Sequence, residues 1–341
     1  MLSPRSEVAG RGDADAVPFV AAPRRRAIGL ALAIGGVVLL LALPLVLNVF
    51  WLFLLTDVLI FALFALSLNL IMGIGGMPSF GHAAYYALGA YAVGLLTVRA
   101  GVAMPLAFVA GPLVAALGAA VFGFFCVRLT QSYFIMLTLA FAQLVFAVVF
   151  KAYHLTGGEN GLPGIRPIPE LSSPLNYYYF TLVVVALCTF LLYRIAHSPF
   201  GYCLRAMRDN ARRAEFVGLP VWCYRWYAFI IAGLFAGVAG TLFAFYNGSV
   251  SPQAAFWTTS ARPFMAVIIG GAGTFWGPVA GAMVLQVLET QLGRFTEHWQ
   301  LVLGLITLCI ALFFQRGLGG LVGRDSRLRG WYTSWQHRSS R

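Results

Sequence analysis

One lysine, Lys151, is all that this 341-residue chain contains, and the scarcity excludes a class of activity. A P-loop needs Gly-Lys-Ser/Thr behind a glycine-rich turn. Lys151 follows Phe150, so the chain is no P-loop ATPase, and any ATP that drives it is bound by another polypeptide. Charge of either sign is scarce. Only 10% of residues are charged, against about 25% in a soluble domain. Cysteine is limited to five residues without a CxxC pair or a Cys/His cluster, so neither disulfides nor a zinc site is expected, and no cofactor is implied. The net charge of +12 comes almost wholly from arginines lying between and beyond apolar runs. That distribution fits the positive-inside bias of membrane proteins rather than nucleic-acid binding.

What is abundant is apolar: 60% of residues are hydrophobic, in runs of about 20 residues that suffice to cross a ~30 Å hydrocarbon core as helices. Residues 27–50, 51–72, 83–98, 105–127, 133–150, 176–196, 225–246 and 297–314 read as such spans. The stretch 263–291 is apolar but interrupted at Gly270-Gly271 and again at Gly277-Pro278, which predicts a broken helix or a short hairpin. The fold class is therefore an all-α polytopic membrane protein, with about 8–10 transmembrane helices and broken or re-entrant elements. Residues 1–26 read as a disordered cytoplasmic tail, 27–316 as the membrane domain, and 317–341 as a basic cytoplasmic tail.

Two segments stand out from the spans. Residues 198–224 form an arginine-rich island, with Arg205, Arg208, Arg212 and Arg213 near helical spacing and Asp209 and Glu215 among them. Gly218 and Pro220 end the helix expected over 204–217. Its apolar positions, Leu204, Met207, Ala211 and Ala214, predict a face able to enter a partner's groove. The plainer reading is a topogenic loop. Residues 73–82 hold Gly75, Gly76, Pro78, Ser79 and His82, which break helical continuity at membrane depth. They are either a tight turn or a stretch lining a water-filled path. Gly270, Gly271 and Thr274 echo Gly75, Gly76 and Ser79, as paired interruptions do in transporter repeats. Asn69 joins the candidate path, and Gln143 is read as interhelical glue or a path residue. Asp57 is solvated near a span end or belongs to the path. The polar loop 154–174, poor in Lys and Arg, is expected on the outer face.

Five stretches carry a resemblance: LNLIMGIGGMPSFGHAAYYALGAYA from Leu68, SYFIMLTLAFAQLVF from Ser132, TGGENGLPGI from Thr156, the island from Ser198 through its following helix, and VIIGGAGTFWGPVAGA from Val267. In this order they resemble the LivM-type permease of branched-chain amino acid ABC importers (the LivH/LivM family). The resemblance implies a transport subunit of the bacterial inner membrane with both termini cytoplasmic, not an enzyme. It implies four kinds of neighbour: a second LivH-type permease, two cytoplasmic ATPase subunits, a periplasmic substrate-binding protein and membrane lipid. It implies that Leu204, Arg205, Met207, Arg208, Asp209, Ala214, Glu215 and Gly218 couple to the ATPase. Ala214-Glu215-Phe216-Val217-Gly218 matches only part of the expected coupling-loop consensus. The solute implied is a branched-chain or other neutral amino acid, with urea or short amides as the alternative. An ion-coupled secondary transporter is a further alternative, for which Asp57 and Glu289 are the only acidic candidates near spans.

Overall fold

The computed structural model describes residues 40–44, 47–129, 131–295 and 298–313; both tails lie outside them. The chain divides into two units between Asn48 and Val49. In the first, residues 40–44 are helical, and the rest of the span expected over 27–50 lies mostly outside the described residues.

The second unit is built from helices in nearly the expected order. Helix α1 (Val49–Asn69) runs on through a π-helical turn, Leu70–Ile74. Helix α2 (His82–Gly94) ends in a similar turn, Leu95–Arg99. Then come α3 (Met104–Cys126), α4 (Gln131–Lys151), the single turn α5 (Tyr153–Thr156) and α6 (Pro174–Ala196). The island supplies α7 (Pro199–Asp209) and α8 (Ala211–Phe216). The chain finishes with α9 (Val221–Asn247), α10 (Trp257–Gly270), α11 (Gly277–Phe295) and α12 (Trp299–Phe313). Five of these are long and apolar enough to span a membrane: α1 with its extension, α3, α4, α6 and α9.

Helix α9 is the hub, packing against α1, α2 and α3. The contact is made by small residues, as its sequence predicts. A Cβ at Gly240 would fall on the Tyr86 carbonyl, one at Gly237 on the Ala115 methyl, and one at Gly233 on the Ala119 methyl. Without a hydrophobic drive between helices in lipid, such close approach supplies the packing. Polar ties lock the same helix: Trp226 Nε1 donates to the Ala120 carbonyl at 2.9 Å, and Tyr177 Oη to the Leu242 carbonyl at 2.6 Å. The outward faces of α3, α4 and α6 carry exposed Leu117, Met136 and Leu187, suited to lipid.

The interruption at 263–291 is a hairpin. Helices α10 and α11 pack together across the turn 271–276, with Gly270 against Gly277 and Gly281 against Ala266. One boundary differs from expectation. Helix α10 begins at Trp257, ahead of the apolar stretch expected from Pro263, so Arg262 lies inside it although Pro263 follows. The polar loop 154–174 is also more ordered than expected: Leu162–Pro163 (β1) pairs antiparallel with Ser249–Val250 (β2), an isolated two-residue ladder.

Candidate coupling and gate region

The island is two helices, not one. Asn210 takes an extended conformation (φ −159°, ψ 100°) between α7 and α8, and its side-chain oxygen accepts from the Arg213 N–H at 2.9 Å. This is ordinary N-capping, which Asn favours because the first turn leaves amides unpaired. Helix α8 then closes on Gly218. The Leu219 N–H reaches the Ala214 carbonyl at 3.1 Å and the Gly218 N–H reaches that of Glu215 at 2.9 Å, with Gly218 at φ +89°. That pair of bonds is the Schellman arrangement, and a left-handed φ makes glycine the natural residue there.

The apolar face expected to enter a partner is turned the other way. Leu204 is 0% and Met207 1% exposed, and Met207 and Ala214 cluster with Val221 of α9. They pack inward and hold the island to its own protein, so Leu204, Met207 and Ala214 offer no exposed apolar face. The apolar atoms offered outward are Phe216, 90% exposed, and Val217, 78% exposed, at the tip where α8 ends. Asp209, Arg212, Arg213 and Glu215 are exposed around it. Arg205 is half-buried and donates through Nη2 to the Ala196 carbonyl at 3.2 Å.

Arg208 joins this island to the first glycine break. Its Nη1 donates to the Gly73 carbonyl at 2.6 Å, and its aliphatic stem lies on Gly76, where a Cβ would collide with Cγ. Gly76 itself has φ +69°. The two breaks then meet each other. Asn69 Nδ2 donates to the Thr274 carbonyl at 3.1 Å, and Gly73 is so close to the Ala272 carbonyl that a Cβ would overlap it. Thr274 braces its own turn, donating to the Gly271 carbonyl at 3.1 Å and accepting from the Gly277 N–H at 3.1 Å. Asn69, Gly76, Gly271, Thr274 and Arg208 thus form one contiguous cluster at the island end; Gly75 and Gly270 adjoin it within the same turns.

Ser79 and His82 lie deeper. His82 Nε2 is 2.8 Å from Ser67 Oγ, and its ring stacks on Phe64 with centroids 5.3 Å apart. Phe64 is ten residues back from Ile74, about 15 Å along a helix. Residues 75–81 therefore return to the interior before α2 starts, as the glycine and proline content predicts. Ser79 and His82 are both fully buried, and His82 Nδ1 has no hydrogen-bond partner among the described residues. The Ala83 N–H in the first turn of α2 is satisfied by Ser260 Oγ of α10 at 2.8 Å. Gln143 stands apart, half-buried on α4, and its side chain makes no hydrogen bond among the described residues.

A second polar group was not legible as a unit. Gln286 donates to Asp57 and accepts from Arg262 Nη2 at 3.0 Å; Arg262 Nε donates to Glu289 at 3.1 Å, and its Nη2 also pairs with the same carboxylate. This chain links α1, α10 and α11 near the end opposite the island. The sequence signal that would have found it is an arginine and an acid on consecutive apolar helices.

Comparison with known proteins agrees with this architecture. The family described as branched-chain amino acid transport system / permease component matches residues 50–311. The high-affinity branched-chain amino acid transport system permease protein LivM of Salmonella typhimurium is 28% identical over 291 residues, covering 77% of this chain and 68% of that protein. LivM of Escherichia coli is 29% identical over 291 residues, with the same coverage. The autoinducer 2 import system permease protein LsrC of Escherichia coli is 28% identical over 180 residues, 47% of this chain and 50% of its own. No solved structure matches the chain. A family match running from the first residues of α1 almost to the end of α12 leaves one conclusion: the chain belongs to the permease components of branched-chain amino acid transport systems.

Proposed function

We propose that this permease is driven by separate ATPase subunits that dock on 198–224, and that it passes a branched-chain or other neutral amino acid delivered by a periplasmic binding protein. In this reading it sits in the inner membrane beside a second permease of its kind, with both tails and the island cytoplasmic. The observation that carries the reading is the tip of α8: two large apolar side chains, Phe216 and Val217, are held outward in a charged segment by a glycine-closed turn. Exposed apolar groups ringed by polar ones mark interaction sites. Helix α8 is backed by α7, and α7 is tied through Arg208 to Gly73. A push on the tip therefore has a physical route to the two glycine breaks, where irregular backbone can rearrange.

LsrC is named for an import system with a different cargo, so the same permease frame is compatible with urea or short amides as the solute. Co-expression with the two ATPases and the binding protein tests the proposal. The reconstituted complex is expected to take up labelled leucine only with ATP on the ATPase side. Uptake that persists without the ATPase subunits and follows an ion gradient would instead favour a secondary transporter.

A further inference from the structure

We propose that the cavity beside Asp57 and Arg262 is a membrane-embedded binding site that holds the transported solute by its ammonium group. The cavity has a volume of about 190 Å³ and lies between α1, α2, α9 and α10, in the half of the chain away from the island. That is below the ~300–1,000 Å³ of pockets for drug-sized ligands, so only a compact solute fits. One wall is apolar: Phe61, Phe64, Tyr86 and Phe243. The charged groups lining it are Asp57 and Arg262.

The arrangement of charge selects the ligand. Two carboxylates, Asp57 and Glu289, lie near one guanidinium, and only Glu289 pairs with it directly among the described residues. Arg262 is committed to Glu289 by an ion pair, and its cation further rests 5.0 Å from the Phe61 ring centroid. Among the described residues, the Asp57 carboxylate accepts its hydrogen bond from the neutral amide of Gln286. No cation among them touches this carboxylate, and the cavity beside it is walled by aromatic side chains with Ser251, Gln253 and Thr259 completing the lining. A charge so placed is costly, and residues of this kind mark substrate or ion pathways. A primary ammonium entering the cavity pairs with Asp57, while an aliphatic side chain covers the aromatic wall. Among the described residues Arg262 Nη1 makes no hydrogen bond, which leaves a donor for a carboxylate on the same solute. The ligand class is a small apolar amine, best a zwitterion. The inference rests on the chain being a solute permease, and it assigns the residues that recognise that solute.

The test is ligand protection of a cysteine at the cavity rim, in membranes carrying the complete complex. Ser251 lines the cavity and is exposed. Ser251→Cys in a background freed of the five native cysteines is titrated with a thiol reagent. L-leucine and isopentylammonium are expected to slow labelling, and 4-methylpentanoate, which lacks the ammonium, is expected not to. Asp57→Asn should raise the leucine concentration for half-protection at least about tenfold, the loss of one charged hydrogen bond. Asp57→Glu should largely restore it, which a folding defect would not allow. Protection by 4-methylpentanoate equal to that by leucine, an unchanged half-protection concentration in Asp57→Asn, or no protection by any of the three compounds would overturn the assignment. Protection is read without ATP, so its pattern stands or falls independently of whether import is ATP-driven.

Discussion

Arg208→Ala removes the side-chain hydrogen bond that ties the island to the first glycine break. A hydrogen bond with one charged partner contributes about 1.5–3 kcal/mol. The Arg208 side chain is 38% exposed, so solvent screening brings the figure down to about 1–2 kcal/mol. Its contact with Asp209, at 3.4 Å on the surface, adds little. A change of about 1–2 kcal/mol in the coupling between two elements shifts their joint equilibrium about 5–30-fold. The substitution leaves Phe216 and Val217 in place, so the ATPases are expected to stay bound. The measurable quantity is solute moved per ATP hydrolysed in proteoliposomes. That ratio is expected to fall several-fold while ATPase activity persists. Arg208→Lys should fall between, since an ammonium lacks the planar fork of the guanidinium. An unchanged ratio in Arg208→Ala would mean that force reaches the membrane helices by another route, such as the direct joins of α6 and α9 to the island.

Other perturbations test separate joints. Gly218→Val places a β-branched residue at φ +89°, which costs about 1–2 kcal/mol of backbone strain and should loosen the α8 tip. A pull-down should recover less ATPase from that variant and nearly normal amounts from Gly218→Asn, because asparagine tolerates the left-handed region. Gly240→Val would drive a side chain into the Tyr86 carbonyl at the α2–α9 contact, and membrane yield should drop sharply. In a cysteine-free background, Asn160→Cys should react with an impermeant thiol reagent in intact cells and Asn210→Cys should not; the reverse pattern would invert the proposed topology.

Five of the expected spans were legible because hydropathy and helix length act on every residue of a run together. Gly75, Gly76 and Pro78, and Gly270 with Gly277, were legible as breaks because glycine and proline act locally on the backbone. What failed were inferences needing a partner for a side chain. Leu204 and Met207 have the periodicity of an amphipathic helix, but periodicity does not say whether the apolar side meets another protein or the chain's own core. Here it meets α9, and the exposed apolar side chains are Phe216 and Val217, which the helical stripe excludes. The Arg208–Gly73 bond spans 135 residues and leaves no local trace. Arg262 was hidden by Pro263, a residue that usually marks a helix boundary but here lies in the second turn of α10.

Photocrosslinking from the α8 tip addresses the docking surface itself. A benzophenone amino acid is placed at position 216, 204 or 207 in the assembled complex, and adducts are identified by mass. An adduct between position 216 and an ATPase subunit is expected, because Phe216 is 90% exposed; positions 204 and 207, at 0% and 1%, should label only this chain. Adducts to the ATPase from 204 or 207, with none from 216, would contradict the orientation of the island and the route by which it is proposed to drive transport.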